Sequence, residues 1–360
     1  MAATDIEILP FGLNLLMNEF TRLNLKKTWG SLKVLTLFSE TPFNVMAENL
    51  KTEDMEVDCT QISASDKVTL FSCTAVRKIS TSTIDLEITG NFYALQKPPF
   101  LYFITGDRNP FLSKVLLHII GKLSPTVLRT FVTSEDLLNL LNNFSKAKKI
   151  DLRYTEFVYK STFAKAFTVR RNEKRVDFSQ YEPFPEAFRK AREQGGRIDR
   201  IRVFGKGFSF SISRSGLLRI YRGDFTDYFA FFISRIGEIA VGRWKIFEKR
   251  ARRESPSKEV RPVLVSFESN VFENEAERKL LIRTLGEYSN CEYSVIHGGN
   301  PHVYLVVLDK LDNSSFTVRT YDNNSLILFP QIRTSMASLV RFSKHLLDKF
   351  EEGNFGEFQL

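Results

Sequence analysis

Short β-patterned runs that lead directly into amphipathic helices dominate this sequence and limit the folds open to it. Residues 208–213 and 217–222 alternate apolar and polar side chains around the turn Arg214-Ser215-Gly216, and a strongly amphipathic helix follows. A similar arrangement occurs at 303–329 followed by 334–350. Because hairpins pair their strands antiparallel, we expect an α+β fold of mostly antiparallel sheets with packed helices.

Local signals place the remaining elements. Thr133 and Asp136 have the spacing of a capping box, and Asn109-Pro110 suits the start of another helix. Helices are predicted at 10–27, 109–123, 133–146 and 273–288, and the helix that starts near 224 is expected to reach about 254. Further strands are predicted at 31–38, 67–79, 83–95, 100–105, 149–159, 163–170, 200–204, 261–267 and 292–296.

A polar segment at 172–197 interrupts this pattern. It contains Pro183, Pro185 and Gly195-Gly196 around a short basic stretch, which is typical of a connection between two folded units. We therefore expect an N-terminal α+β lobe at 1–171, a basic linker at 172–197 and a C-terminal α+β lobe at 198–360.

The cysteines and the apolar runs bear on the setting of the protein. Cys59, Cys73 and Cys291 form a sparse, odd-numbered set without CxxC spacing, which argues against a disulfide framework or a zinc site and favours the reducing cytoplasm. The sequence begins without a basic segment followed by an apolar one, so no signal peptide is expected. No run approaches about 18 uninterrupted apolar residues, so we expect no contact with a membrane.

The positive charge of the chain is concentrated in one segment. Between 165 and 261 there are 24 Lys and Arg residues against 12 Asp and Glu, a net charge of +12, whereas the whole chain has 51 against 42. The remainder therefore has 27 basic and 30 acidic residues and is slightly acidic. A local positive field of this kind is typical of proteins that bind a polyanion or an acidic partner.

The basic residues of this segment are the candidate nucleic-acid contacts. Lys and Arg side chains neutralise phosphates, and 17 of the 24 basic residues are Arg, which favours bidentate phosphate contacts. Phe204, Phe208, Phe210 and Tyr221 lie between them, so bases of a single strand have potential stacking partners. The candidates are Arg170, Arg171, Lys174, Arg175, Arg189, Lys190, Arg197, Arg200, Arg202, Lys206, Arg214, Arg219, Arg222, Lys245, Lys249, Arg252 and Arg253.

Residues able to support catalysis are few. His297 and His302 flank a turn and would need carboxylates such as Asp309 to hold a metal ion, and neither HExxH nor HxH spacing occurs. Asp309 and Asp312 border a hairpin where paired carboxylates bind Mg²⁺ in nucleases, but Asp and Asn are also common turn residues. We therefore predict no catalytic residue, no metal ligand and no cofactor.

The sequence favours a non-catalytic subunit that holds the phosphate backbone of DNA or RNA and works with another protein, such as an effector or guide-binding protein. Two alternatives remain open. One is a metal-dependent nuclease that uses Asp309 and Asp312 with His302. The other is an adaptor that binds an acidic protein through the same basic segment.

Overall fold

The computed structural model describes residues 31–39, 41–47, 50, 56–64, 68–77, 86–160, 167–170, 186, 189, 197–253, 259–299, 302–350 and 352–358. The predicted helix at 10–27 and most of the polar segment 172–197 lie outside these residues. Within them the chain forms two antiparallel sheets with packed helices, which confirms the predicted α+β class. No helix in the described part of the chain is both long and apolar enough to cross a membrane.

The first sheet contains eleven strands of the described chain. Its strands follow the order β2-β3-β4-β5-β1-β11-β10-β9-β7-β8, and β6 also pairs with β1. The strands are β1 (Leu32–Phe38), β2 (Glu56–Ala64), β3 (Val68–Arg77), β4 (Leu86–Lys97), β5 (Phe100–Thr105), β6 (Leu128–Arg129), β7 (Arg153–Lys160), β8 (Phe167–Arg170), β9 (Arg197–Gly205), β10 (Phe208–Ser213) and β11 (Leu217–Arg222).

Helices cover opposite faces of the two halves of this sheet. On the β2–β5 half, α2 packs on one face through Phe111 and Ile119. On the β9–β11 half, α3 and α4 pack on the other face through Phe144 and Phe232. The helices of this lobe are α1 (Phe43–Ala47), α2 (a π-helical Phe111–Leu116 followed by Leu117–Lys122), α3 (Ser134–Lys148) and α4 (Phe225–Tyr228, a π-helical Phe229–Ile233, then Ser234–Glu248).

Strand β1 lies where the two halves meet, and both of its faces are buried. Leu35 and Leu37 belong to the core beneath α2. Leu32 and Val34 point the other way, into the core shared with α3 and α4. A strand buried on both sides requires apolar residues at consecutive positions, as in the run LKVLTLF.

The second sheet follows the order β13-β14-β15-β16-β12-β17. Two helices cover one of its faces through apolar residues such as Leu281 and Phe342, which share a core with Leu305 and Val318 of the central strands. The elements of this lobe are β12 (Val263–Phe267), α5 (Glu275–Gly286), β13 (Cys291–Gly298), β14 (Val303–Asp309), β15 (Ser314–Asp322), β16 (Ser325–Pro330), α6 (Met336–Lys349) and β17 (Gly353–Glu357).

Several predicted elements form where their local signals are strongest. The β10–β11 hairpin has the predicted strand limits, and Gly216 in its turn has φ +70°, where a Cβ would lie 2.5 Å from the Thr130 hydroxyl. The capping box of α3 is present, because Thr133 and Asp136 each accept the backbone N–H of the other.

Other features differ from the sequence-based expectation. Strands β9–β11 belong to the first sheet, so the change of sheet falls between β11 and β12 rather than at 172–197. Helix α4 ends at Glu248 instead of about 254. The expectation of no disulfide was wrong: Cys59 and Cys73 lie directly opposite each other in the β2–β3 ladder and are bonded. Antiparallel pairing makes such a bridge without any CxxC spacing.

Helix α4 connects the two lobes. Its first half contributes Phe225 and Phe232 to the core of the first lobe. Its last turn inserts Phe247 into the core of the second lobe, where this ring packs against Phe355 of β17. Trp244, one turn earlier, stacks on Phe38 at the end of β1. The helix therefore has apolar contacts in both cores.

A buried polar contact supplements this packing. The carboxylate of Glu352 accepts the backbone N–H of Ser134 at 2.5 Å and lies 3.5 Å from the Arg214 guanidinium. Arg214 also donates to the Leu347 carbonyl at the end of α6. The side chains of Arg214 and Glu352 are 3% and 2% exposed, so the two buried charges compensate each other, and Asp348 lies 3.8 Å from Arg214 as a second carboxylate.

We predict that Glu352→Ala lowers the free energy of unfolding by about 3 kcal/mol, because it leaves the Ser134 N–H without its acceptor and the buried Arg214 guanidinium with only the Asp348 carboxylate, 3.8 Å away. Urea denaturation at pH 7 measures the loss. Arg235→Ala removes one member of an exposed ion pair on α4 and should change stability by less than about 0.5 kcal/mol. Equal losses in the two variants would contradict a structural role for Glu352.

Candidate nucleic-acid interface

The structure describes most, but not all, of the predicted phosphate contacts. Four of them lie outside the described residues: Arg171, Lys174, Arg175 and Lys190. Arg170 is the last residue of β8, where only its backbone is described. Arg189 is exposed. The other candidates divide into three groups, which lie between the lobes, on the first sheet and at the end of α4.

Two candidates, Arg197 and Arg214, are engaged at the contact between the lobes. Both donate to the Leu347 carbonyl, at 3.0 Å and 3.3 Å. Burial, followed by the charge of Arg214, lowers the pKa of Arg197. Burial would raise the pKa of the neighbouring Asp348, but Lys344, Arg214 and Arg197 together hold it below its usual value. These contacts indicate a structural role for both arginines.

A row of cations crosses the first sheet at Arg202, Arg219 and Lys33, and we call these three residues the cation row. In the strand register Arg202 lies opposite Ser211, Ser211 opposite Arg219, and Arg219 opposite Lys33. Strands are about 4.8 Å apart, so the row spans roughly 15 Å across β9, β10, β11 and β1. The row lies on the face of the sheet opposite α3 and α4. Val203 and Leu218, which are adjacent to Arg202 and Arg219 along their strands, point the other way, into the core beneath α3 and α4.

Neighbouring side chains position the two ends of the row. The Arg202 guanidinium lies over the Tyr221 ring, 4.0 Å from its centroid, and the Tyr221 hydroxyl is 3.5 Å from that of Ser211. At the other end the Lys33 amine donates to the carbonyls of Ser31, at 2.8 Å, and Asp107. The cations are therefore held by ordered strands.

The row changes the proton affinity of its lysine. Burial, and then the charge of Arg219, lower the pKa of Lys33 to about 8, although Asp107 acts in the opposite direction. The shift therefore comes mainly from the burial of Lys33, which is 3% exposed, and only in part from its basic neighbour. An anion that bound beside the row would favour the charged form of Lys33.

Three more candidates surround the row. Arg200 is two residues from Arg202 along β9 and thus shares its face. Lys206 and Arg222 are exposed at the end of the sheet where β9 turns into β10. Together with the cation row they place six basic residues on adjoining strands of one sheet.

The candidates near the end of α4 do not all lie on this helix, which was expected to reach about 254. Lys245 and Lys249 are exposed, but the helix ends between them. The backbone N–H groups of Arg252 and Arg253 donate instead to the Thr334 carbonyl. Arg253 also donates to the Asp312 carbonyl and to the Ser314 hydroxyl, which ties it to the β14–β15 turn.

The carboxylates suggested for a nuclease are structural in this arrangement. Asp309 accepts hydrogen bonds from the Leu311 N–H, the Ser338 hydroxyl and the Arg341 guanidinium, the last at 2.6 Å. Asp312 accepts from the Ser314 N–H, the Ser335 hydroxyl and Arg341. Burial would raise the pKa of Asp312, but its hydrogen bonds and Arg341 lower it. Each carboxylate oxygen therefore has a donor from the protein.

The structure brings His297 and His302 together but separates them from these carboxylates. Both histidines line a pocket at the start of β14, whereas Asp309 ends the same strand, about 20 Å away at the usual rise per residue. Among the described residues no group of three or more His, Cys, Asp and Glu side chains is placed to hold a metal ion.

Sequence reasoning missed Lys33 because it lies 132 residues before the start of the basic segment at 165. The pairing of β1 with β11 brings it beside Arg219. A signal was present in LKVLTLF, where Lys33 is the one charged residue of a buried strand. No protein-family model matches the chain, and no curated protein sequence matches it at a significant level.

We predict that Asp309→Ala lowers the free energy of unfolding by about 3 kcal/mol, because it removes a buried partner of Arg341. Thermal melting with and without Mg²⁺ provides the measurement. Asp322→Ala, which removes turn hydrogen bonds to Asn324 and Ser325 at an exposed site, should cost about 1 kcal/mol. A melting temperature that Mg²⁺ raises in the parent protein but not in Asp309→Ala would favour the nuclease alternative instead.

Proposed function

We propose that the protein is a non-catalytic nucleic-acid-binding subunit that contacts the phosphate backbone of DNA or RNA and works with a separate protein. The observation that carries this proposal is the cation row, where two arginines and a lysine from different strands share one register position, with Ser211 between the two arginines. Arginines on a sheet face are suited to bidentate contacts with successive phosphates. Contacts of this kind give binding that is salt-dependent and largely independent of sequence.

The setting of the row supports a single strand as the ligand more than a duplex. A sheet that presents cations beside an aromatic ring provides both charge neutralisation and a stacking surface. Tyr221 is half-buried beneath Arg202 and forms part of this surface. The exposed Lys206 and Arg222 extend the positive field to the edge of the sheet.

We propose that the protein partner attaches to the second sheet. Strand β13 is at the edge of that sheet, and Tyr293, Val295 and Ile296 on it are exposed. Edge strands with exposed apolar side chains are typical sites for the addition of a strand from another chain. The Cys59–Cys73 bond removes the cysteine argument for a reducing cytoplasmic setting, so we propose the complex without assigning it to a compartment.

The test is the salt dependence of binding to mixed-sequence oligonucleotides, single- and double-stranded, DNA and RNA. Arg202→Ala with Arg219→Ala should reduce the slope of log K against log salt by about 2, one for each lost phosphate contact. Arg235→Ala with Arg333→Ala removes two exposed arginines away from the row and should leave the slope unchanged.

Three results would contradict the proposal: no binding at low salt, binding without salt dependence, or equal effects of the two double variants. Absorbance at 260 nm after native purification distinguishes this proposal from the adaptor alternative. An adaptor should co-purify with one stoichiometric acidic protein and show no excess of nucleic acid.

We further predict that binding weakens as the pH rises from 7 to 9. Lys33 carries its full charge well below its pKa of about 8 and loses that charge as the pH rises through it, so the row becomes less positive. Lys33→Met lacks this titration, and the affinity ratio between parent and variant should fall on the order of three- to tenfold over the range. A ratio that stays constant between pH 7 and 9 would exclude a contribution of Lys33. Oligonucleotide anisotropy at fixed ionic strength measures both proteins.

A further inference from the structure

A second electropositive site lies in the other lobe, on the face of the second sheet that α5 and α6 do not cover. It is a pocket of about 580 Å³. His297, Tyr304 and Arg319 form one row across β13, β14 and β15. The volume is within the range of small-molecule sites, roughly 300–1,000 Å³. Nothing in the cation row contributes to this pocket.

The pocket combines basic and aromatic side chains without acidic ones. Arg252, Arg319, His297 and His302 line it, and none of the described lining residues is Asp or Glu. Two arginines among the described lining residues give the pocket a basic wall, which is typical of sites that take an anion.

The walls of the pocket indicate which chemical groups are attached to the anion. Tyr304 on β14 and Phe329 on β16, with β15 between them, provide aromatic surface, and Val260 and Pro330 add apolar surface. Guanidinium groups bind phosphate oxygens in bidentate geometry, and imidazole adds a further hydrogen-bond donor. An aromatic wall beside a cationic one matches a base or sugar joined to a phosphate.

Arg252 is held in place by the main chain. Its N–H donates to the Thr334 carbonyl at 2.9 Å, and the Thr334 N–H donates to the carbonyl of Gln331, which also lines the pocket. Arg319 lies on β15 between two paired strands. Both cations therefore extend from ordered backbone, which limits the entropy lost when a ligand binds.

We propose that this pocket binds the phosphomonoester of a nucleotide, supplied either by a free nucleoside monophosphate or by the 5′-terminal phosphate of a strand. Arg252 and Arg319 contact the phosphate, with His297 and His302 beside them. Tyr304 and Phe329 receive the base or the sugar. The proposal does not rest on the cation row, because the two sites lie on different sheets.

Calorimetric titration of the full chain compares adenosine 5′-monophosphate, inorganic phosphate and adenosine. A second arm compares one oligonucleotide with a 5′-phosphate and with a 5′-hydroxyl. If the ligand is a free nucleotide, the monophosphate should bind at least about tenfold more tightly than adenosine. If the ligand is the end of a nucleic-acid strand, the oligonucleotide with a 5′-phosphate should show the same preference over the one with a 5′-hydroxyl.

Arg319→Ala should remove either preference, and it is expected to fold because the side chain is exposed. Arg333→Ala is the matched control, since this exposed arginine does not line the pocket. The double variant Arg202→Ala with Arg219→Ala should bind oligonucleotides more weakly and still prefer the 5′-phosphate, which separates this site from the cation row. The proposal is overturned if neither arm shows a phosphate preference, or if the preference survives in Arg319→Ala.

Discussion

Helix α4 is the element on which the relation between the two sheets depends. Phe232 in its first half is buried against the first sheet, and Phe247 in its last turn is buried against the second. A side chain such as Phe stabilises a core by about 2–3 kcal/mol when fully buried, and each half of the helix contributes such rings to a different lobe. Because one continuous helix takes part in both cores, neither lobe can rotate away without exposing apolar surface.

The basic segment has two physical roles that its charge alone does not distinguish. Arg197 and Arg214 compensate Asp348 and Glu352 at the contact between the lobes, and Arg250 donates to the carbonyls of Ile246 and Pro262. These arginines neutralise buried acceptors, and removing one would cost stability before it affected any ligand. Arg202 and Arg219 instead share a sheet face with Lys33, so their charges add.

The sequence predicted elements whose signals are local and missed arrangements that depend on distant pairing. The β10–β11 hairpin and the Thr133 cap of α3 were predicted because a Gly turn and a capping box are each contained within a few residues. The cation row requires residue 33 to meet residue 219, and the Cys59–Cys73 bond requires the β2–β3 register. Strand β17 was also missed, since its residues pair with β12 and have no alternation of their own.

The second lobe uses its acidic and basic residues at opposite ends of β14. At one end Asp309 and Arg341 satisfy each other beneath α6, so this end has little charge left for a ligand. At the other end the pocket residues that the structure describes include arginines and histidines and no carboxylate. The residues that follow α4 join the two environments: Arg253 donates to the Asp312 carbonyl, while its neighbour Arg252 lines the pocket. The backbone N–H groups of Arg252 and Arg253 both donate to the Thr334 carbonyl. These hydrogen bonds therefore also position Arg252 at the pocket.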